Sequence, residues 1–218
     1  DMNAHTFITN AQGRAHQSSV TMLSSMQKRP GQPAPMNLPS TLITTYMRLY
    51  PEDFKPSFIV DDRMAIEQLH ALDVRYYRFM YNTVGEKWNW TDRLLLEDEE
   101  IHAIMQDPQM SMYVSYFNGA PAGYVELAVR DENATEIVYF GLREEYWGMG
   151  LGKHLLSFGV TQAFEDGASE IILNTCNLDG PHALKNYQKR GFKVNDITEE
   201  PMPDKEYIKL NARQRGMY

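Results

Sequence analysis

The stretch Glu136–Phe164, EIVYFGLREEYWGMGLGKHLLSFGVTQAF, constrains the fold of this chain more than any other. It reads as a strand, a glycine-rich turn and an amphipathic helix. Ile137, Val138, Tyr139, Phe140 and Leu142 make an apolar, partly β-branched run of strand length. Gly148, Gly150 and Gly152 then fall at every second position. Lacking a Cβ, such a run allows unusual dihedrals and lets a ligand approach several main-chain N–H groups together. From Leu151 onward, Leu155, Leu156, Gly159, Val160, Ala163 and Phe164 recur on one helical face. The helix therefore begins where the glycines end. Its first N–H groups lack intrahelical partners and its dipole is positive there, so the turn suits a phosphate or pyrophosphate.

Two familiar glycine motifs are excluded. In a Walker A loop the lysine is followed by Ser or Thr, whereas Lys153 is followed by His154. The dinucleotide fingerprint has the spacing G-x-G-x-x-G, whereas the glycines here are spaced G-x-G-x-G after antiparallel-looking strands.

The segment Tyr146-Trp147-Gly148-Met149-Gly150-Leu151-Gly152 resembles the acyl-CoA pyrophosphate loop of the GCN5-related N-acetyltransferase superfamily, [RQ]-x-x-G-x-[GA]. Downstream, Ala183 through Tyr187 to Gly191-Phe192 resembles that superfamily's closing motif, A-x-x-x-Y-x-x-x-G-F. The motifs stand in the family's order, joined by a helix and a strand over Glu170–Asn174, and the resemblance covers residues 110 to 195. Trp147 stands where the family has Arg or Gln, and Gly180 where many members have Asn. The resemblance implies that the backbone of Phe140 and Leu142 holds the acyl and pantetheine portions, with Gly141 clearing the coenzyme's path. It further implies that residues Trp147 to Lys153, that is Trp147, Gly148, Met149, Gly150, Leu151, Gly152 and Lys153, form the cofactor-binding loop. A plain structural reading makes Gly141 a bulge position.

The rest of the 218-residue chain provides one domain with a sizeable core, or one domain plus an arm. Residues 1–40, rich in Ser, Gln, Asn, Pro and Met, read as an extended or flexible arm before an acyltransferase domain over 41–218. Thr41–Leu49 is β-rich and ends before Pro51. Asp61 and Asp62 offer N-caps for a helix through Val84, stopped by Gly85, with Met64, Leu69, Leu72, Tyr76, Phe79 and Met80 as its apolar face. An aromatic piece around Trp88 and Trp90 comes next, serving as core anchors or as walls of an acceptor pocket. A second helix is expected over Glu97–Gln106. Met112–Phe117, Ala122–Arg130 and Thr135–Leu142 then read as an antiparallel meander, its first turn marked by Asn118-Gly119.

Charge and composition narrow the partners. A formal charge of −8 argues against nucleic acid and suits a cationic amine. No apolar stretch approaches roughly 20 residues, so no membrane span is expected. The polar start and the single Cys176 point to a reducing, cytoplasmic setting. No metal site is expected, since His154 and His182 lie outside any ligand cluster, and Cys176 reads as a small buried hydrophobe.

Acyl transfer to an amine sets further demands. A primary amine with a pKa near ~10 is mostly ammonium at neutral pH, so a base must take a proton, and the departing thiolate needs an acid. By resemblance to the histone-acetylating members, where the strand reads E-I-V-F, Glu136 in Glu136-Ile137-Val138-Tyr139 is the expected base. Glu126, a carboxylate amid an apolar strand, is its rival for base chemistry or amine binding. Tyr187, matching the closing-motif tyrosine, is the expected acid. The expected fold is α/β: a single domain with a mixed, mostly antiparallel twisted sheet and helices on both faces. The expected function is acetyl transfer from acetyl-CoA to a primary amine of a small molecule or peptide, by direct attack in a ternary complex. Transfer to a protein lysine or N-terminus, and a non-catalytic acyl-CoA sensor, are the alternatives. A homodimer is the assembly that the resemblance suggests.

Overall fold

A computed structural model describes residues 38–130 and 133–217. The arm expected over 1–40 therefore lies outside the described residues, except for its last three. Strands β1 (Thr41–Leu49), β2 (Met64–Gln68), β3 (Met110–Phe117), β4 (Ala120–Val129), β5 (Ala134–Leu142), β6 (Glu170–Cys176) and β7 (Lys193–Pro201) form one sheet. Their spatial order is β2-β3-β4-β5-β6-β1-β7. Helices α1 (Val74–Gly85), α2 (Asp98–Gln106), α3 (Leu151–Glu165), α4 (Ala183–Lys189) and α5 (Lys205–Gln214) flank it.

Local chemistry explains the meander. Asn118 and Gly119 both adopt positive φ, 50° and 78°, the requirement of a tight hairpin turn whose twist matches its strands. Glu97 and Glu100 form a reciprocal capping box at the start of α2.

The long helix expected from Asp61 is instead an edge strand followed by a shorter helix. Met64–Gln68 pairs antiparallel with β3, Met64 opposite Phe117 and Gln68 opposite Tyr113. Pairing with a waiting strand satisfies these backbone groups and overrides a helical pattern. The helix starts where Asp73 accepts a hydrogen bond from the Tyr76 N–H. Its buried face is Tyr77, Met80, Tyr81 and Val84, whereas Leu72 and Phe79, expected inside, are exposed.

Neighbouring strands run antiparallel except β5 and β6. That parallel pairing lasts only from Ala134–Glu170 to Ile137–Leu173. Beyond it the two strands part, leaving a cleft between Tyr139–Leu142 and Asn174–Cys176. A bulge at Val138 shifts the register, since Glu126 faces Tyr139 while Leu127 faces Ile137. The expected bulge at Gly141 is thus displaced to Val138. The extra residue also re-aims the second half of β5: Ile137 and Phe140 pack toward α3, whereas Tyr139 packs toward α1.

Among the described residues, two large clusters cover the sheet's faces, and a smaller one gathers Phe117, Ala122 and Leu151. Leu155, Leu156 and Val160 of α3 join Val125, Ile137, Ile171, Tyr187 and Phe192 on one face. Tyr77, Met80, Tyr81 and Val84 of α1 join Ile101, Tyr124 and Ala212 on the other. The segment Phe54–Ile59 crosses α3, where Ser157 Oγ accepts from the Ser57 N–H at 2.8 Å and His154 Nδ1 from the Ile59 N–H at 3.1 Å. No described helix is long and apolar enough to cross a membrane.

Candidate active site

The cleft between the parted strands has a volume of about 1180 Å³. One end is built by the glycine turn. Gly148 and Gly150 take φ of 77° and 82°, in the region only glycine enters without strain. A Cβ built on Gly148 meets nothing within 4 Å, so the space above the turn is open. Gly150 caps α3 with no side-chain hydrogen bond, which leaves the first-turn N–H groups available. Lys153, Lys185 and Lys189 line the same cleft. These features fit the phosphates of a coenzyme through backbone donors, a helix dipole and long-armed cations.

Of the residues expected from sequence, Phe140, Gly141, Leu142, Trp147, Gly148, Gly150, Gly152, Lys153 and Tyr187 all line the cleft. Leu151 does not; it is buried beside Phe117 and Ala122, because a helix presents its apolar first-turn residue to the core. Met149 is exposed. Gly141 lines the cleft and also clears room for α1, since a Cβ there would lie 2.6 Å from Val84 Cγ1. Trp147 donates its indole N–H to the Leu142 carbonyl at 2.9 Å and stacks on Trp88 with ring centres 5.2 Å apart. The Leu142 backbone, expected to hold the coenzyme, thus has its carbonyl bonded to Trp147. The edge of Trp88 comes within 3.2 Å of a Cβ built on Gly180 and so occupies the room that a side chain at this position would need.

Neither expected base lines the cleft. Glu136 precedes the parting of the strands and pairs with Arg130, 2.7 Å away. Glu126 is 1% exposed. It accepts from Tyr77 at 2.7 Å and from Arg93 at 2.8 Å, while Arg93 Nε donates to the Tyr77 hydroxyl. This buried triad ties β4 to α1 and to the loop beyond it. The expected apolar strand setting of Glu126 was thus a core ion pair, which a single strand's pattern cannot distinguish from a cleft.

The carboxylates that do line the cleft are Asp92, Asp179 and Glu200. Asp179, in the β6–α4 loop, is held firmly: Oδ2 accepts from Thr175 Oγ1 at 2.6 Å and from the Cys176 N–H at 2.9 Å. Its Oδ1 lies 3.5 Å from Trp90 Nε1. Asp92 Oδ2 lies 3.5 Å from the Tyr139 hydroxyl. Trp90 packs on Tyr81 and Tyr139, so it is both a core anchor and a cleft wall. Burial, reinforced by the charge of Asp179, pushes the Tyr187 phenol well above its ordinary value. Burial likewise raises the Cys176 thiol, which is half-buried at the cleft wall rather than sealed in the core. His154 is occupied by Ile59 and does not line the cleft. Asp179 and Lys205 escaped the sequence reading. An Asp-Gly-Pro turn after a strand was the available signal for Asp179, and a lone lysine beyond the closing motif carries none.

Comparison with known proteins agrees with this architecture. The family model described as "Acetyltransferase (GNAT) family" matches residues 66–192. A curated mycothiol acetyltransferase of Corynebacterium aurimucosum is 39% identical over 59 residues, which are 27% of this chain and 19% of that protein. A GCN5-related N-acetyltransferase from Kribbella flavida superposes with a TM-score of 0.55 at 16% identity, over 74% of this chain and 58% of that one. One from Sphaerobacter thermophilus gives 0.57 at 15% identity, over 75% and 52%. An aminoglycoside acetyltransferase from an uncultured soil metagenomic sample gives 0.52 at 15% identity, over 61% and 90%. The matches thus span about a fifth of the curated relative and somewhat over half of the first two solved structures. With a family model covering more than half of its length, this chain belongs to the acetyltransferase (GNAT) family.

Proposed function

We propose that the protein is an acetyl-CoA-dependent N-acetyltransferase acting on a primary amine of a small molecule or peptide, by direct attack within a ternary complex. The observation that carries the reading is that one cleft is lined both by the glycine turn with Lys153, Lys185 and Lys189 and by Asp92, Asp179 and the aromatic rings of Trp90 and Tyr139. Acetyl-CoA supplies an activated thioester. The α3 N-terminus, Gly148, Gly150 and Lys153 hold its pyrophosphate, and Lys185 and Lys189 add positive charge beside it. Asp92 and Asp179 attract an ammonium, and Trp90 and Tyr139 offer aromatic faces that favour a cation.

The acceptor must lose a proton before it can attack. Asp179 takes the base role in this reading, because Thr175 and Cys176 fix one oxygen while the other stands toward Trp90 and the cleft. Tyr187 serves as the acid that protonates the departing thiolate. A phenol is protonated at neutral pH and so holds a proton to give, which it loses only as the sulfur gains one. Neither residue forms a covalent bond to substrate.

The test is coenzyme thiol release from acetyl-CoA across small amines, amino acids, polyamines, aminoglycosides and lysine peptides, with mass spectrometry of the products. Acetylation of a small or peptidic amine is the expected result. Tight acetyl-CoA binding with no thiol release on any amine would make the protein a sensor instead, and acetylation confined to folded proteins would make it a protein acetyltransferase.

A further inference from the structure

Lys205 is the first residue of α5, yet its side chain is turned inward. The residue is only 9% exposed and lines the same cleft as Asp92 and Asp179. Its Nζ donates to Thr91 Oγ1 at 2.9 Å, a hydroxyl that is itself buried. Among the described residues no carboxylate lies within ion-pair distance of this ammonium. Its neighbour on the next turn of α5 differs: Lys209 Nζ has two acceptors, the Glu86 carbonyl and Asn89 Oδ1. A desolvated ammonium has three donors and is costly to bury with a single neutral partner. Two donors of Lys205 thus remain for whatever fills the cleft.

Building on the transferase reading above, we infer that the acceptor amine also carries a carboxylate, which Lys205 binds while Asp92 and Asp179 face the ammonium. The acceptor is then an amino acid or an amino-acid-like compound. In that reading the glycine turn and Lys153 hold the coenzyme's phosphates, while Lys205 is tied to Thr91, beside Asp92. A carboxylate matches the site in number as well as charge: two oxygens meet two free donors. A plain diamine or polyamine would bring another positive charge against Lys205, and the site repels it.

The experiment compares matched acceptors in the wild-type protein by kcat/KM for thiol release. The pairs are lysine against 1,5-diaminopentane, phenylalanine against 2-phenylethylamine, and a dipeptide with a free against an amidated carboxyl group. The carboxylated member is expected to win by about 10- to 100-fold, the range of a charged hydrogen bond. A free amino acid and a peptide carboxyl terminus are distinguished by which pair shows the preference. In Lys205→Met the ratio within the preferred pair should collapse toward one, and in Lys205→Arg most of it should return. Turnover with no advantage for the carboxylate, or a ratio unmoved in Lys205→Met, overturns this inference and leaves the transferase reading standing. No thiol release with any of the amines, while acetyl-CoA still binds, overturns both.

Discussion

At the scale of single residues, position relative to the parted strands decides what a carboxylate can do. Glu136 lies four residues before Phe140 yet on the paired side of the splay, held by Arg130, so Glu136→Gln should change kcat by less than about twofold. Asp179→Asn keeps the shape but removes the basic oxygen, and should lower kcat by about 100-fold with a smaller change in KM for acetyl-CoA. Tyr187→Phe removes a proton donor without opening a cavity. A fall of about 100-fold in kcat at unchanged thermal stability is expected, read by thiol release beside a melting curve. A Glu136 variant as damaged as the Asp179 variant would return the base role to the strand.

At the scale of elements, the glycine turn and the buried triad carry separate duties. Gly148 and Gly150 hold left-handed backbone that disfavours any side chain by about 1–2 kcal/mol. If the turn holds the coenzyme as proposed, in ground and transition states alike, Gly150→Ala should raise the KM for acetyl-CoA by about 10-fold or more while kcat moves less. Glu126→Ala strands Arg93 in the core without its carboxylate. A loss of about 3–5 kcal/mol in chemical denaturation is expected, with Glu126→Gln milder because an amide still accepts from Tyr77 or Arg93. If Glu126→Gln abolished turnover at full stability, the triad would be part of the chemistry after all.

For the whole molecule, the crossing of Phe54–Ile59 over α3 adds a pH response. His154 accepts the Ile59 N–H through Nδ1, which requires the neutral ring, and burial holds its pKa below the ordinary value. A histidine whose folded pKa is depressed takes up protons more readily when unfolded. Its contribution is complete above the unfolded value of about 6.5 and is lost as pH falls through the lower folded value. The melting temperature should thus drop more between pH 7.5 and 5 in wild type than in His154→Gln, whose amide oxygen accepts without titrating. Equal drops would mean that the crossing does not sense protonation. The charged edge strand β7, exposed along its whole length, closes the sheet against further pairing through Asp196, Glu199 and Glu200.

The sequence by itself determined the elements whose signals are local. Glycines at alternate positions before an apolar helical face, Asn118-Gly119 between alternating runs, and the tyrosine and glycine of the closing motif all act within a few residues, so the meander, the turn, α3 and α4 were legible. The start of α1 was not, because Met64–Gln68 could pair with β3 only once β3 was in place. The acid–base partners were also hidden. A carboxylate's role depends on what stands across from it. Arg93 reaches Glu126 only through folding, and the local pairs of Arg130 with Glu136 and Thr175 with Asp179 form only once the β4–β5 hairpin and the β6–α4 loop take shape. The tertiary structure alone decided that β5 and β6 part after Ile137 and Leu173, that the bulge at Val138 turns Tyr139 toward α1, and that a lysine from the last helix reaches a cleft opened by strands far earlier in the chain. Each of these joins residues far apart in the sequence, and no pattern within a single segment encodes such a meeting.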